Sequence, residues 1–240
     1  PDYKESFESG NIADASQPNI WPPDSALPGF RAFMESFFAD CAALVHRLLD
    51  ALTTALHLDS SLDLSKTHAQ SLFQLRLLHY PPLAAKDLTE GNKTRIAAHS
   101  DFGTLTLLFQ DAVGGLQIES AQRAGEFRPV DAVPDAVLVN IGDLMARWSN
   151  DRWKSTVHRV GAPGDAPEEA DATASPELSH AGSSSMLSAR YSIPFFATAD
   201  PDTLIEALPG CATPSNPPRY ESVTARGYVQ MRMSALYGEE

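Results

Sequence analysis

His99 and Asp101 stand two residues apart in HSDFGTLTLLFQD, at the start of a strand-like run, so their side chains project to one face. An imidazole and a carboxylate sharing a face can act as two ligands of a divalent metal. The triplet alone decides little, because His57-Leu58-Asp59 has the same form. That second copy lies where a long amphipathic segment gives way to polar residues, and reads as a helix end. A third ligand separates the two. His158, in KSTVHRVGAP, is carried by another strand-like run and reaches Asp101 only through the fold. Two imidazoles and one carboxylate on one side of an octahedron suit non-haem Fe(II), with three positions left open for substrates and O₂.

The elements that must position these ligands are legible in the hydrophobic pattern. From Phe30, apolar residues fall at 30, 33, 34, 37, 41, 44, 45, 48, 52 and 55, one face of a long α-helix. SLFQLRLLHYPP (71–82) then reads as a strand. Short β-like runs follow: TRIAAH, GTLTLLF, GGLQIE, EFRPV, AVLVNI, STVHRV and MLSARYSIPFF, separated by Gly, Asp, Asn and Pro. That cadence predicts a mainly β fold, a jelly roll (double-stranded β-helix) or another barrel-like sandwich. A closing helix is expected over about Glu221–Tyr237.

Residues 1–27, rich in Pro, Asp, Ser and Asn, show no period and are expected to run over the surface, pinned by Trp21. Asn140, Gly142 and Asp143 in NIGD predict a turn that positions the strand of His158, with Trp148 packed behind it. Gly114-Gly115 predicts a hairpin turn. The acidic stretch at about 161–185 offers little to a core and predicts a flexible surface loop. The division expected is a surface segment and packing helix over 1–68 and a jelly-roll core over 69–240, together one structural domain. PDYKESFESG reads like mid-chain sequence, which suggests that an N-terminal portion precedes it.

Composition narrows the partners. Eighteen Lys and Arg against 31 Asp and Glu give a formal charge of -13, without the positive field that holds nucleic acid or anionic lipid. No apolar run approaches the roughly 18 residues of a membrane span, and no signal peptide is visible, so a soluble cytoplasmic protein is expected. Cys41 and Cys211 read as isolated buried thiols. Ser183, Ser184 and Ser185 have no base placed near them, and no glycine-rich phosphate loop is present. A small-molecule substrate remains as the expected partner. Nothing in the sequence sets an oligomeric state.

LRLLHYPP, AAHSDFGTLTLLFQDAVGGLQI, VLVNIGDLMARWSNDRWKSTVHRV and RYSIPFF occur in an order that resembles the Fe(II)/2-oxoglutarate-dependent oxygenases of the isopenicillin N synthase-like branch. The likeness spans most of the chain. Through PDYKES, LLHYP, ARWSND and RYSI it is greatest to the fungal thymine hydroxylases. The resemblance implies Fe(II) on His99, Asp101 and His158, and 2-oxoglutarate and O₂ as cosubstrates. It also implies that Arg190 and Ser192, the Arg-x-Ser pair of RYSIP, hold the distal carboxylate of 2-oxoglutarate, with Tyr80 alongside. The chemistry agrees, since residues two apart on a strand share a face and a guanidinium fork suits a carboxylate. Where the family carries asparagine, this sequence has Leu78. The expected reaction couples decarboxylation of 2-oxoglutarate to oxidation of a small organic molecule. The alternatives are an iron oxidase that uses no 2-oxoglutarate, as isopenicillin N synthase does, and a catalytically idle fragment.

Strand parity extends the expectation to substrate. Arg76 shares a face with Leu78 and Tyr80, Phe196 shares one with Arg190, Ser192 and Pro194, and Phe102 follows Asp101. An arginine carried into the interior needs a partner. A planar, hydrogen-bonding ring of the pyrimidine type, stacked on Phe196 and held by Arg76, would supply one.

Overall fold

A computed structural model describes residues 2–59, 62–89, 93–162 and 186–238. The elements run β1 (Glu5–Gly10), α1 (Phe30–Ala55), a 3-10 turn (Leu64–His68), β2 (Gln74–Tyr80), β3 (Leu83–Ala84), α2 (Ala85–Thr89), β4 (Ile96–His99), β5 (Leu105–Gln110) and β6 (Leu116–Glu119). Then come β7 (Phe127–Pro129), β8 (Leu138–Ile141), α3 (Asp143–Trp148), β9 (His158–Val160), β10 (Met186–Leu187), β11 (Arg190–Ala197), β12 (Leu204–Ile205), β13 (Val223–Thr224) and α4 (Ala225–Tyr237).

Two antiparallel sheets form the body, a larger one in the order β1-β2-β11-β5-β8 and a smaller one in the order β4-β9-β6-β7. The chain changes sheet between β4 and β5, β5 and β6, β7 and β8, and β8 and β9, the winding of a double-stranded β-helix. Leu78 and Tyr80 from the larger sheet pack with Leu116 and Val160 from the smaller one, so the sheets face each other across a small interior core. The opposite face of the larger sheet presents Leu75, Leu105, Leu107, Phe195 and Ala197 to α1. Larger-sheet strands buried on both sides explain runs such as LTLLF, apolar at nearly every position. No described helix is long and apolar enough to cross a membrane.

The α1 residues that reach the core are Met34, Phe38, Cys41, Val45 and Leu49. Phe38 and Leu49 lie outside the stripe expected from sequence, and Phe33, which belongs to that stripe, is 67% exposed. The helix is apolar around more than half its circumference, and periodicity alone could not choose which part meets the sheet.

Three further expectations are corrected. Residues 5–10 form edge strand β1, paired with β2 from Glu5↔His79 to Gly10↔Gln74. ESFESG has little strand propensity, and the tertiary ladder overrides it while Phe7 packs on Trp21 and Phe30 at 5.8 and 5.3 Å between ring centroids. MLSARYSIPFF divides into β10 and β11, which belong to different sheets. Gly114-Gly115 takes left-handed backbone (φ 81° and 87°) but joins β5 to β6 across the two sheets, so it makes no hairpin. The acidic insertion expected at about 161–185 lies, from residue 163 onward, outside the described residues.

Candidate metal and cosubstrate site

His99 closes β4 and His158 opens β9, and the two are cross-strand partners with ring centroids 4.3 Å apart. Asp101 lies just past β4 and is 7% exposed. One ligand atom from each of the three lies within 4.8 Å of the other two. His57, of the other triplet, is exposed beyond the end of α1, with left-handed backbone (φ 54°).

Hydrogen bonds decide which atoms face the cluster. His99 Nδ1 donates to the carbonyl of Ala97 at 2.8 Å and His158 Nδ1 to that of Thr156 at 3.0 Å. Both Nε2 lone pairs are thereby free. Asp101 Oδ2 accepts from Thr106 Oγ1 at 2.7 Å and from Asn140 Nδ2 at 2.8 Å. Oδ1 is left facing His99 Nε2 at 4.0 Å and His158 Nε2 at 3.9 Å. These separations are too long for hydrogen bonds. Three converging lone pairs around a small gap fit a divalent cation. Burial, then the neighbouring His158, pushes the His99 pKa down and favours the neutral imidazole a metal requires.

The loop carrying Asp101 is pinned by the NIGD segment. Asp143 N donates to Asp101 O, Gly142 N to Thr104 O and Leu144 N to Gly103 O, at 2.8, 3.0 and 3.0 Å. A Cβ on Gly142 would fall well inside contact distance of the Gly103 carbonyl, so glycine is required at this approach. NIGD therefore positions Asp101, correcting the expectation that it serves the strand of His158. From α4, Arg232 bonds Asp143, donates to Ser100 Oγ at 3.3 Å and covers the Phe102 ring at 4.5 Å.

A second polar group sits between β2, β5 and β11. Arg190 is 1% exposed and donates from Nε to Gly114 O at 2.9 Å, from Nη1 to Ser192 Oγ at 3.1 Å and from Nη2 to Gln110 Oε1 at 2.9 Å. All three acceptors are neutral. Of five guanidinium donors, these three and the bond to the Tyr80 phenol leave one for a ligand. The Tyr80 ring lies 5.1 Å from Arg190 Cζ, and its phenol hydrogen-bonds Ser192 and Arg190. Burial raises the Tyr80 pKa against the pull of Arg190, which keeps the phenol protonated as a donor. A buried cation with a spare donor and a phenol at its side fits a carboxylate.

Residues 71–199 match the family model of the 2OG-Fe(II) oxygenase superfamily. The chain belongs to this superfamily. It is 40% identical over 239 residues to the 2-oxoglutarate-dependent dioxygenase htyE of Aspergillus rugulosus, covering 99% of this chain and 68% of that protein. It is also 40% identical to the proline hydroxylase buaE of Petromyces alliaceus, covering 98% and 69%. Among solved structures it is similar to the thymine-7-hydroxylase of Neurospora crassa in complex with alpha-KG and thymine (TM-score 0.81, 34% identity, 99% of this chain and 66% of that one).

As a member of the superfamily the chain is an Fe(II)- and 2-oxoglutarate-dependent oxygenase that also consumes O₂. These matches favour 2-oxoglutarate use over the 2-oxoglutarate-independent oxidase. The structure brings His99, Asp101 and His158 together, brings Tyr80, Arg190 and Ser192 together, and sets Arg76 beside Phe196. Phe102 goes elsewhere, packing against Arg232 and the helix-side core. Sequence reasoning missed Thr106, Gln110 and the ligand-facing role of Asn140. Alternation along β5 carries a signal for the first two, since Thr106 and Gln110 share a face with Leu108 of the interior core.

Proposed function

We propose that the chain hydroxylates a small, flat, carbonyl-bearing molecule of the pyrimidine type. His99, Asp101 and His158 would hold the iron, and Arg190, Ser192 and Tyr80 the far carboxylate of 2-oxoglutarate. One observation carries the substrate reading: the Arg76 guanidinium lies over the Phe196 ring, 5.3 Å from its centroid, on the interior face of the larger sheet. Nε of Arg76 is paired with Glu8 and Nη2 donates to Gln74, and the donors left on its outer nitrogens, beside a flat apolar ring, suit a planar substrate with carbonyl oxygens. The similarity to the Neurospora hydroxylase, solved with thymine, supports it.

Bound ferrous iron supplies the activation of O₂ that couples decarboxylation of 2-oxoglutarate, to succinate and CO₂, to oxidation of the substrate. The chain's own residues orient and exclude. Asn140 and Thr106 fix one carboxylate oxygen, the Ala97 and Thr156 carbonyls fix two tautomers, and Leu78, Leu116 and Val160 keep the interior dry. We read residues 1–68 and 69–240 as one structural domain of a cytoplasmic, isopenicillin N synthase-like enzyme, on the grounds of motif order and charge.

A second substrate reading has its own observation. Glu8 Oε1 lies 2.7 Å from Arg76 Nε, so a carboxylate and a guanidinium stand together. That pair suits a zwitterion such as an amino acid, and the similarity to a proline hydroxylase supports it. The test is succinate formation with Fe(II), 2-oxoglutarate and thymine, uracil or L-proline in turn, with the hydroxylated product identified by mass spectrometry. Stimulation by thymine supports the pyrimidine reading. Stimulation by proline alone moves the assignment to the second.

A further inference from the structure

Arg95, just before β4, has 0% of its surface exposed. Its Nη2 donates to the Ser188 carbonyl at 2.6 Å, while Nε and Nη1 are buried without a hydrogen-bond partner among the described residues. Its Cζ lies 6.0 Å from the centroid of the Tyr80 ring, the ring that Arg190 approaches at 5.1 Å. Two buried guanidiniums thus lie near one phenol ring. Among the described residues neither has a carboxylate within ion-pair distance. Asp111 is the acidic group acting on both, and its oxygens already accept from the backbone N–H groups of Val113 and Tyr191 at 3.0 and 2.6 Å.

Buried charges are ordinarily paired, and buried donors ordinarily bonded. A fold that holds two like charges together and leaves donors of one of them idle is built to receive an anion. Burial and the nearby Arg190 both lower the Arg95 pKa, which marks the repulsion an anion would relieve. Structural service to Ser188 accounts for one nitrogen only.

We propose that Arg95 is a second cosubstrate cation, whose charge reinforces Arg190 on the distal carboxylate of 2-oxoglutarate and sets the preference for dicarboxylate over monocarboxylate oxo acids. The inference rests on the reading of Arg190, Ser192 and Tyr80 as the cosubstrate wall, and deepens it. A role confined to supporting Ser188 predicts equal weakening for every oxo acid. A role in charge recognition predicts weakening only for those with a distal carboxylate.

The experiment measures dissociation constants for 2-oxoglutarate and for 2-oxopentanoate, which lacks the distal carboxylate, by calorimetry on anaerobic Fe(II)-loaded protein. The proteins compared are wild type, Arg95→Met, Arg95→Lys and Arg190→Met. The expected result for Arg95→Met is about tenfold weaker 2-oxoglutarate binding with 2-oxopentanoate changed less than about twofold, most of the loss being recovered in Arg95→Lys. Equal weakening of both ligands, or unchanged 2-oxoglutarate binding, overturns the inference. If Arg190→Met weakens 2-oxoglutarate and Arg95→Met does not, the cosubstrate wall stands and only Arg95 is removed from it; if neither does, the wall itself is misread. Should Arg95→Met fail to fold, Arg95→Gln, which retains a donor for Ser188, answers the same comparison.

Discussion

Asn140 Nδ2 donates to Oδ2 of Asp101 at 2.8 Å, so a side chain of β8 decides which carboxylate oxygen faces His99 and His158. Thr106 holds the same oxygen from β5. The carboxylate is aimed before any metal arrives, and a ligand free to rotate would have to lose that freedom on binding. Asn140→Ala is expected to weaken Fe(II) binding about 10- to 100-fold while the fold persists. Anaerobic Fe(II) titration alongside circular dichroism checks it, and unaltered affinity would show that Thr106 suffices.

Arg190→Leu should raise the 2-oxoglutarate concentration needed for turnover far more than it changes iron binding. It removes a charge-assisted partner and leaves a carboxylate facing a buried apolar side chain, a loss of about 2–5 kcal/mol. Tyr80→Phe keeps the ring against Arg190 and removes one hydroxyl, so its effect should be smaller. Steady-state kinetics against 2-oxoglutarate separate the two.

Much of this site was legible in the sequence because β-strands convert spacing into direction. Parity along HSD and RYS put His99 with Asp101 and Arg190 with Ser192, and motif order supplied His158. What spacing could not reveal was the partner across a gap. Asn140 read as a turn residue because its bond to Asp101 spans β8 and the loop after β4, and Glu8, which pairs with Arg76, sits in a segment with no strand signal. The β1 ladder, like the choice of Phe38 and Leu49 as inward residues of α1, was decided by what the rest of the chain offered to pack against.

His68 gives the fold a pH dependence of its own. It is fully buried, with Nε2 2.8 Å from Thr104 Oγ1 and Nδ1 3.0 Å from the Leu64 carbonyl, and burial lowers its pKa to about 4. An unfolded imidazole titrates near 6.5. Between these values the unfolded chain binds a proton that the native chain refuses, so the contribution is complete above about pH 6.5 and is lost as pH falls toward 4. The loss amounts to about 3 kcal/mol. Denaturation followed from pH 7.5 to 4 should show this slope in wild type and a flatter one in His68→Gln.

Gly142→Ala should destabilise by about 1–3 kcal/mol, since the new methyl group meets the Gly103 backbone and the loop bearing Asp101 must move aside. Urea midpoints measure the stability. Fe(II) affinity should fall with it, whereas Gly125→Ala, at a turn with open space around the glycine, should leave Fe(II) binding unchanged.

In the proposed site His99, Asp101 and His158 hold iron beside a 2-oxoglutarate wall formed by Arg190, Ser192 and Tyr80. The most direct test of this assignment is anaerobic titration of the protein with Fe(II) and 2-oxoglutarate, followed through the weak visible metal-to-ligand charge-transfer band. The band is expected to develop in wild type and in His57→Ala and to be absent in His99→Ala and His158→Ala. A band that survives in the His99 and His158 variants, or is lost only in His57→Ala, would contradict it.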